Sequence, residues 1–447
     1  MALVTVDFDS VVGKFKPMNA VNNGPVKPRS DQSRGNFDDY KALRIPLARI
    51  HDANLCYSYG GPHCADVHAI FPDFSADEND PESYDFHLTD EYLSNMRSAG
   101  TQVYFRLGAS IEHWSKKYNI LPPADFAKWA RICEHIILHY NQKWANGFEW
   151  NIEYWEIWNE PDLDPDDSPN KRCWGGTKAQ FFELYKVAAT HLKARFPELK
   201  IGGPAIAGKA EWGKEFIKFV ADNNIPMDFF SWHRYHREPE AISELCRMWR
   251  AVLDDNKLAK CESILNEWNY VRNWSSEWVY SLEQMSGMKG AAFTAAVMCV
   301  CQNSPLDLLM YYDARVSSAM NCIFNTVTLK RLKGFYAFYS FAELAELGNQ
   351  VKCDCDESNI YALAGCGGNG KKAMMVVSYF DDDNVNARQV TIDTGLKNHA
   401  FECKMIDPDF SFEPVWPKSD EEGKLTLTMQ RNAILFITAK PALPCSQ

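Results

Sequence analysis

Two short segments of the chain carry carboxylates in the same setting. Tyr154–Trp155–Glu156–Ile157–Trp158–Asn159–Glu160–Pro161 is an apolar run ending in Asn-Glu-Pro. Ser263–Ile264–Leu265–Asn266–Glu267–Trp268–Asn269 is an apolar run ending in Asn-Glu beside tryptophan. A glutamate at the end of a buried strand among tryptophans loses water, and desolvation raises its pKa. A general acid working near neutral pH needs that shift. With the two strand ends facing each other at about 5–5.5 Å, Glu160 and Glu267 would be the acid/base and nucleophile of a double-displacement glycosidase. Asn159 would offer amide donors to a sugar hydroxyl, and Trp158, Trp232 and Trp268 are expected to flank the ring, because aromatic faces stack on sugars.

Other strand-end candidates surround this pair. In Asp228–Phe229–Phe230–Ser231–Trp232–His233–Arg234–Tyr235, strand alternation puts His233 and Tyr235 on one face, where a tyrosine can donate to a nucleophilic carboxylate and orient it. Arg49 can hold that carboxylate ionised, and His51, two residues on, can bind a hydroxyl. Tyr312, Asp313 and Arg315 close the last strand and suggest the floor of a sugar site. Four arginines, Arg234, Arg237, Arg272 and Arg315, fall just past strand ends, which raises an anionic sugar, uronate or sulfated, against structural ion pairs. His63, Asp66 and His68 match no helical ligand pair, so no metal and no cofactor is expected.

Such groups need a scaffold that gathers strand ends in one place. Short apolar runs alternate with helical patterns at Ala48–His51, Gln102–Leu107, Tyr154–Trp158, Lys200–Gly203, Phe229–His233, Ser263–Glu267 and Leu308–Tyr312, and a first strand near Lys16–Ala20 makes eight. That is the signature of a (β/α)₈ barrel, whose reactive groups sit where strands end. Asp125 and the Thr177/Gln180 capping box predict helix starts, and Gly287–Cys301 reads as a helix apolar on every face and therefore buried. The barrel should end with a helix near Leu332–Leu347, stopped at Gly348. Beyond it, Ile360–Ala364, Lys372–Tyr379, Arg388–Ile392, Phe401–Met405, Leu425–Met429 and Ile434–Ala439 read as the strands of an accessory β-sandwich. The fold class is thus α/β, with a barrel over 16–348 and a sandwich from 1–15 plus 349–447. Gly365–Lys371 reads as a hairpin turn, since it lacks the spacing of a phosphate loop.

Composition narrows the function classes. Lys and Arg total 47 against 59 Asp and Glu, a net charge of −12, which excludes a nucleic-acid partner. No apolar run reaches the roughly 18 residues of a spanning helix. The 14 cysteines form no C-x₂-C pairs and are expected to be buried free thiols, with one or two incidental bridges at most. No signal-peptide pattern precedes the first strand; the compartment is cytoplasmic unless an export signal has been removed, and then periplasmic or secreted.

Taken together, these segments resemble the retaining glycosidases built on (β/α)₈ barrels, with acid/base and nucleophile on barrel strands four and seven. Within that clan the chain is most similar to glycoside hydrolase family 39, which includes β-xylosidases and α-L-iduronidases. The resemblance rests on Trp155–Pro161, Arg49–Ile50–His51, Trp232–Tyr235, Leu265–Trp268 and the C-terminal strands, and it covers essentially the whole chain. It implies Glu160 as acid/base, Glu267 as nucleophile, Asn159 on the sugar 2-hydroxyl, His233 and Tyr235 supporting the nucleophile side, and His51 on the sugar. It further implies an exo-acting hydrolase of a plant, algal or host polysaccharide fragment, a carbohydrate partner and a homo-oligomer. The alternative is a non-catalytic carbohydrate-binding relative of the fold. The segment Tyr311–Arg315, the following Met320–Asn325 and the insertion Tyr57–Asp80 depart from the family's xylosidases, which bears on the sugar rather than on the mechanism.

Overall fold

The computed structural model describes residues 2–53, 63–367, 372–384 and 386–441. Strand β1 (Ala2–Lys14) is followed by eight parallel strands: β2 (Ala20–Asn22), β3 (Leu47–Arg49), β4 (Gln102–Leu107), β5 (Tyr154–Ile157), β6 (Lys200–Ile206), β7 (Phe229–His236), β8 (Glu262–Tyr270) and β9 (Leu308–Tyr311). They close as a barrel in chain order, with β9 pairing back onto β2. Ala20, Tyr104, Phe229, Ile264, Leu308 and Met310 fill its lower interior, so the polar groups above stand on a packed apolar floor. The first barrel strand lies at Ala20–Asn22 rather than Lys16–Ala20. Lys16 is occupied before the strand begins, donating from Nζ to the carbonyls of Cys301, Ser304 and Leu306.

Local chemistry sets the helices between the strands. Asp125 accepts from the Lys128 amide at 3.0 Å and starts helix Phe126–Gln142. Thr177 and Gln180 form a reciprocal capping box at the start of Lys178–Arg195. Helix Lys333–Leu347 stops at Gly348, whose φ of 82° suits glycine.

The second unit comprises β10 (Asn349–Cys355), β11 (Ile360–Cys366), β12 (Ala373–Tyr379), β13 (Arg388–Asp393), β14 (His399–Ile406), β15 (Ser411–Val415), β16 (Lys418–Ser419), β17 (Lys424–Met429) and β18 (Ala433–Pro441). With β1 they form one curled, mixed ten-stranded sheet in which β1 lies between β10 and β13. Val4, Val351, Val377, Ile392 and Leu435 belong to its own apolar core. β11 and β12 pair antiparallel up to Cys366 and Ala373, and the Gly367 amide donates to the Lys372 carbonyl, which brackets the expected hairpin turn. The turn's residues 368–371 lie outside the described residues, as do residues 57–62 of the Tyr57–Asp80 insertion.

Helix Met288–Gln302 explains its own composition. It packs between the barrel helices and strands β11 and β12, and its Ala292 carbonyl accepts from Ser378 Oγ at 3.0 Å. A helix covered on both sides has no face for polar residues. Among the described residues every cysteine is a free thiol, and all but Cys353 and Cys355 are buried.

Candidate active site

At the end of β5 the backbone turns sharply. Trp158 and Glu160 adopt φ of 76° and 47°, in the left-handed region that bulky side chains avoid. Each such residue costs about 1–3 kcal/mol and persists only where its surroundings hold it. Here the Trp158 amide donates to the Leu107 carbonyl at 2.6 Å and the Glu160 amide to the Ala205 carbonyl at 2.9 Å. The turn carries Asn159 and Glu160 to the barrel mouth.

Strand β8 presents the second carboxylate through a bulge. Trp232 pairs with Leu265, but His233 pairs with Glu267, leaving Asn266 as the extra residue. Asn266 Nδ2 donates to Glu156 Oε1 at 2.5 Å, while its carbonyl accepts from Asn22 Nδ2. Glu267 follows at once, facing into the barrel.

Arg49 ties the site together. Fully buried, it donates from Nε to Glu156 Oε2 at 2.6 Å, from Nη1 to Glu267 Oε1 at 2.8 Å and from Nη2 to Asn159 Oδ1 at 2.6 Å. Burial alone would lower its pKa, but Glu156 and Glu267 override that and hold the guanidinium charged. Glu156 also accepts from Tyr104 and Ser231. Sequence reading missed this buried acid in the middle of an apolar strand.

The two mouth glutamates have different surroundings. Glu267 accepts from Arg49 and, at 2.6 Å, from the Tyr235 hydroxyl. Burial raises its pKa above the ordinary carboxylate value, and the Arg49 charge and the Tyr235 hydrogen bond offset only part of that rise. Glu160 has weaker partners: Cys173 Sγ lies 3.8 Å from Oε2, and His233 Nδ1 lies 2.8 Å from Oε1 in a hydrogen bond whose proton can sit on either group. Burial pushes the Glu160 carboxyl up to about 7 against the field of Arg49. His233, 3.5 Å from Glu267 through the same nitrogen, therefore leans to the Glu160 side; burial lowers its pKa to about 4, so it is neutral near pH 7.

One carboxylate oxygen from each glutamate and a ring nitrogen of His233 lie within 4.8 Å of one another. This is the one three-ligand cluster among the described residues close enough to hold a metal ion. Its groups are already engaged with each other, with Tyr235 and with the Arg49 cation. The His63–Asp66–His68 group is organised differently: Asp66 accepts from Arg106 at 2.5 Å and from the Ser110 amide and hydroxyl.

The remaining expected residues divide. His51 is buried and kept neutral, chiefly by desolvation, and its Nδ1 and His233 Nε2 hydrogen-bond to nothing among the described residues. Buried polar atoms of this kind are the ones a ligand hydroxyl can satisfy. The Tyr312 hydroxyl donates to Asp52, and Arg315 lies 3.5 Å from Asp52 and 3.3 Å from Asp313. These residues form one polar wall at the ends of β3 and β9.

Trp268 is no sugar platform. It follows Glu267 on β8, so its side chain takes the opposite face, fully buried against Phe293 and Tyr311. Trp232 likewise packs outward on Trp249, and Trp158 against Trp129 and Trp174. The arginine argument for an anionic sugar also weakens. Arg237 and Arg272 pair with Asp382 and Asp383, and Arg315 with Asp52 and Asp313; only Arg234 has no carboxylate partner among the described residues. An aromatic residue that sequence reading passed over does reach the site: the Trp274 ring lies 5.0 Å from Tyr235. It sits in a loop with no periodicity to mark it.

Two glutamates gathered at the mouth of a closed parallel barrel, at the ends of its fourth and seventh strands, are the pair of groups that glycoside hydrolysis needs. The chain matches glycosyl hydrolases family 39 over residues 31–351 and belongs to that family. It is 28% identical over 193 residues to a β-xylosidase of Geobacillus stearothermophilus, covering 40% of this chain and 36% of that one. It is 36% identical over 146 residues to a β-xylosidase of Caldicellulosiruptor saccharolyticus, covering 32% of this chain and 26% of that one. The matches therefore span about a third and a quarter of those relatives' lengths. In fold, the chain is similar to a glucosidase from Croceicoccus marinus, with a TM-score of 0.78 at 21% identity, covering 99% of this chain and 100% of that one. A monomeric β-xylosidase from Caulobacter crescentus CB15 gives 0.70 at 15% identity, with the same coverage.

Proposed function

We propose that the chain is a retaining exo-glycosidase that removes a terminal, uncharged sugar of the β-xyloside type. The observation that carries this reading is the spacing of Glu160 and Glu267, whose nearest oxygens lie within 4.8 Å. Retaining pairs are separated by about 5–5.5 Å, and inverting pairs by about 6.5–9.5 Å to admit a water molecule.

In the first step Glu267 attacks the anomeric carbon while Glu160, protonated, gives its proton to the departing glycosidic oxygen. Glu160, now a carboxylate, takes a proton from water, which cleaves the glycosyl–Glu267 ester with a second inversion. The surroundings suit these roles. Arg49 and Tyr235 donate to Glu267 and stabilise the attacking anion, whereas burial favours a neutral Glu160. Because Arg49 takes the Asn159 carbonyl oxygen, the NH₂ end of that amide is left to donate to the sugar 2-hydroxyl. The mutually paired Asp52, Tyr312, Asp313 and Arg315, buried or half-buried at the ends of β3 and β9, suit an enclosed pocket for one terminal sugar, the arrangement exo action needs. The names of the two curated relatives and the pairing of three of the four arginines favour a neutral sugar.

Incubation with a 2-deoxy-2-fluoro-β-xyloside followed by peptide mass spectrometry tests the reading. Glu267 should carry the label, and proton NMR of early product should show the β-anomer. A label on another residue, or release of the α-anomer, overturns the mechanism; turnover of other glycosides with β-xylosides untouched overturns the sugar.

A further inference from the structure

Trp274 stands in the loop between β8 and helix Trp278–Met285, and 56% of it is exposed. An isolated exposed tryptophan has no special meaning. Trp416 at the edge of the sheet, between β15 and β16, is such a residue, with 88% exposure. Trp274 differs because it is held. Its ring stacks on Trp278 at a centroid distance of 4.8 Å and an interplanar angle of 24°, and it meets Tyr235 edge to face at 5.0 Å. Tyr235 in turn donates to Glu267 at 2.6 Å, so the indole lies one side chain away from a mouth carboxylate.

The loop beneath the ring is also fixed. Asn273 Oδ1 accepts from the amides of Ser275 and Glu277, and its Nδ2 donates to Glu277 Oε2 at 2.8 Å. Arg272 is anchored by Asp382 and Asp383 from the sheet unit. A rigid indole exposing apolar surface to water beside a polar cleft is preorganised to stack, since little ordering entropy remains to be lost on binding. In a cleft whose buried groups are sugar-hydroxyl partners, the planar apolar partner is the C–H face of another pyranose.

Asp52, Tyr312 and Arg315 are buried or half-buried and engaged with one another, whereas Trp274 is exposed to water. In an exo-acting enzyme the sugar that extends toward solvent is the one on the leaving-group side. We propose that Trp274 is the platform for the sugar unit on the leaving-group side of the scissile bond, which makes the substrate an oligosaccharide rather than a glycoside of a small alcohol. This rests on the exo-glycosidase reading above.

The test compares kcat/KM for xylobiose with that for methyl β-xyloside, and cellobiose with methyl β-glucoside, in wild type, Trp274→Ala, Trp274→Phe and Trp416→Ala. Trp274→Ala should lower the disaccharide-to-methyl-glycoside ratio about tenfold, the effect of losing one aromatic stacking surface. Trp274→Phe should restore most of the ratio, and Trp416→Ala should leave it unchanged. An unchanged ratio in Trp274→Ala, or an equal fall in Trp416→Ala, overturns the proposal. If wild type cleaves none of the four glycosides, the functional reading fails on its own. The platform is then judged by titrating wild type and Trp274→Ala with xylohexaose and cellohexaose and following tryptophan emission. Binding that weakens in Trp274→Ala supports the platform; equal binding, or none, overturns it.

Discussion

At the scale of the residue, the site works by contrast between two glutamates. Desolvation raises both, but Glu267 is held by the Arg49 and Tyr235 donors while Glu160 has no such charged partner among the described residues, and the difference sets the pH behaviour. The first chemical step needs protonated Glu160, so kcat/KM for a glycoside with a poor leaving group should fall as pH rises through about 7. In Glu160→Gln that alkaline limb should vanish together with about 10²–10⁴ of the rate, a loss that a pH series of initial rates will measure. The same shift bears on stability. Glu160 binds its proton more tightly folded than unfolded, so the native protein loses relative stability between the ordinary 4.5 and about 7. Glu160→Gln should therefore be no more stable than wild type at pH 4 and gain roughly 0.5–2 kcal/mol by pH 8, read from urea midpoints. Arg49 has the opposite character. Arg49→Met leaves Glu156 and Glu267 buried without their cation and should cost about 3–5 kcal/mol in the same measurement.

At the scale of the element, strand ends were the legible feature. Apolar runs ending in Asn-Glu located Glu160 and Glu267 because a parallel barrel strand is apolar until it reaches the mouth. What remained hidden depends on pairing across the sheet. The one-residue bulge in β8 appears only when His233 is seen opposite Glu267, and no local pattern marks it. Glu156 was invisible as a functional acid because its meaning comes from Arg49, more than a hundred residues earlier in the chain. Trp268 adjoins Glu267 in sequence but not in space, because strand alternation sends it to the helix layer. Asn266→Ala tests the bulge. It removes a donor from the buried Glu156, and should destabilise by about 1–3 kcal/mol and lower kcat through misplacement of Glu267, observable by urea unfolding alongside steady-state kinetics.

At the scale of the whole molecule, the ten-stranded sheet is joined to the barrel by buried charge as well as by apolar packing. Asp382, just beyond β12, accepts from Tyr270 at 2.6 Å and from Arg272 at 2.9 Å, and pairs with Lys289 at 2.8 Å. Burial raises its pKa, but Lys289, Tyr270 and Arg272 outweigh that and hold it below the ordinary 3.8. The clamp therefore contributes fully above the unfolded carboxylate value and is lost as pH falls through the depressed native one. Asp382→Ala leaves the buried Lys289 without a carboxylate, its ammonium keeping the Tyr280 hydroxyl and a backbone carbonyl, so it should cost about 3–5 kcal/mol at neutral pH and lose that penalty in acid, as thermal melts at a series of pH values will show. Helix Met288–Gln302 was legible as buried from its composition, but the partner that buries it was not, because an apolar surface does not say what covers it. The Asp382 clamp also bears on how such a chain can be inherited. A recombination event at the junction near residue 348 would give the barrel a foreign sheet and leave Lys289 without its acid and Arg272 with Glu277 alone. A sheet exchanged there would need to bring an equivalent acid with it, so the position of Asp382 should vary together with Arg272 and Lys289 rather than with its neighbours in the sheet.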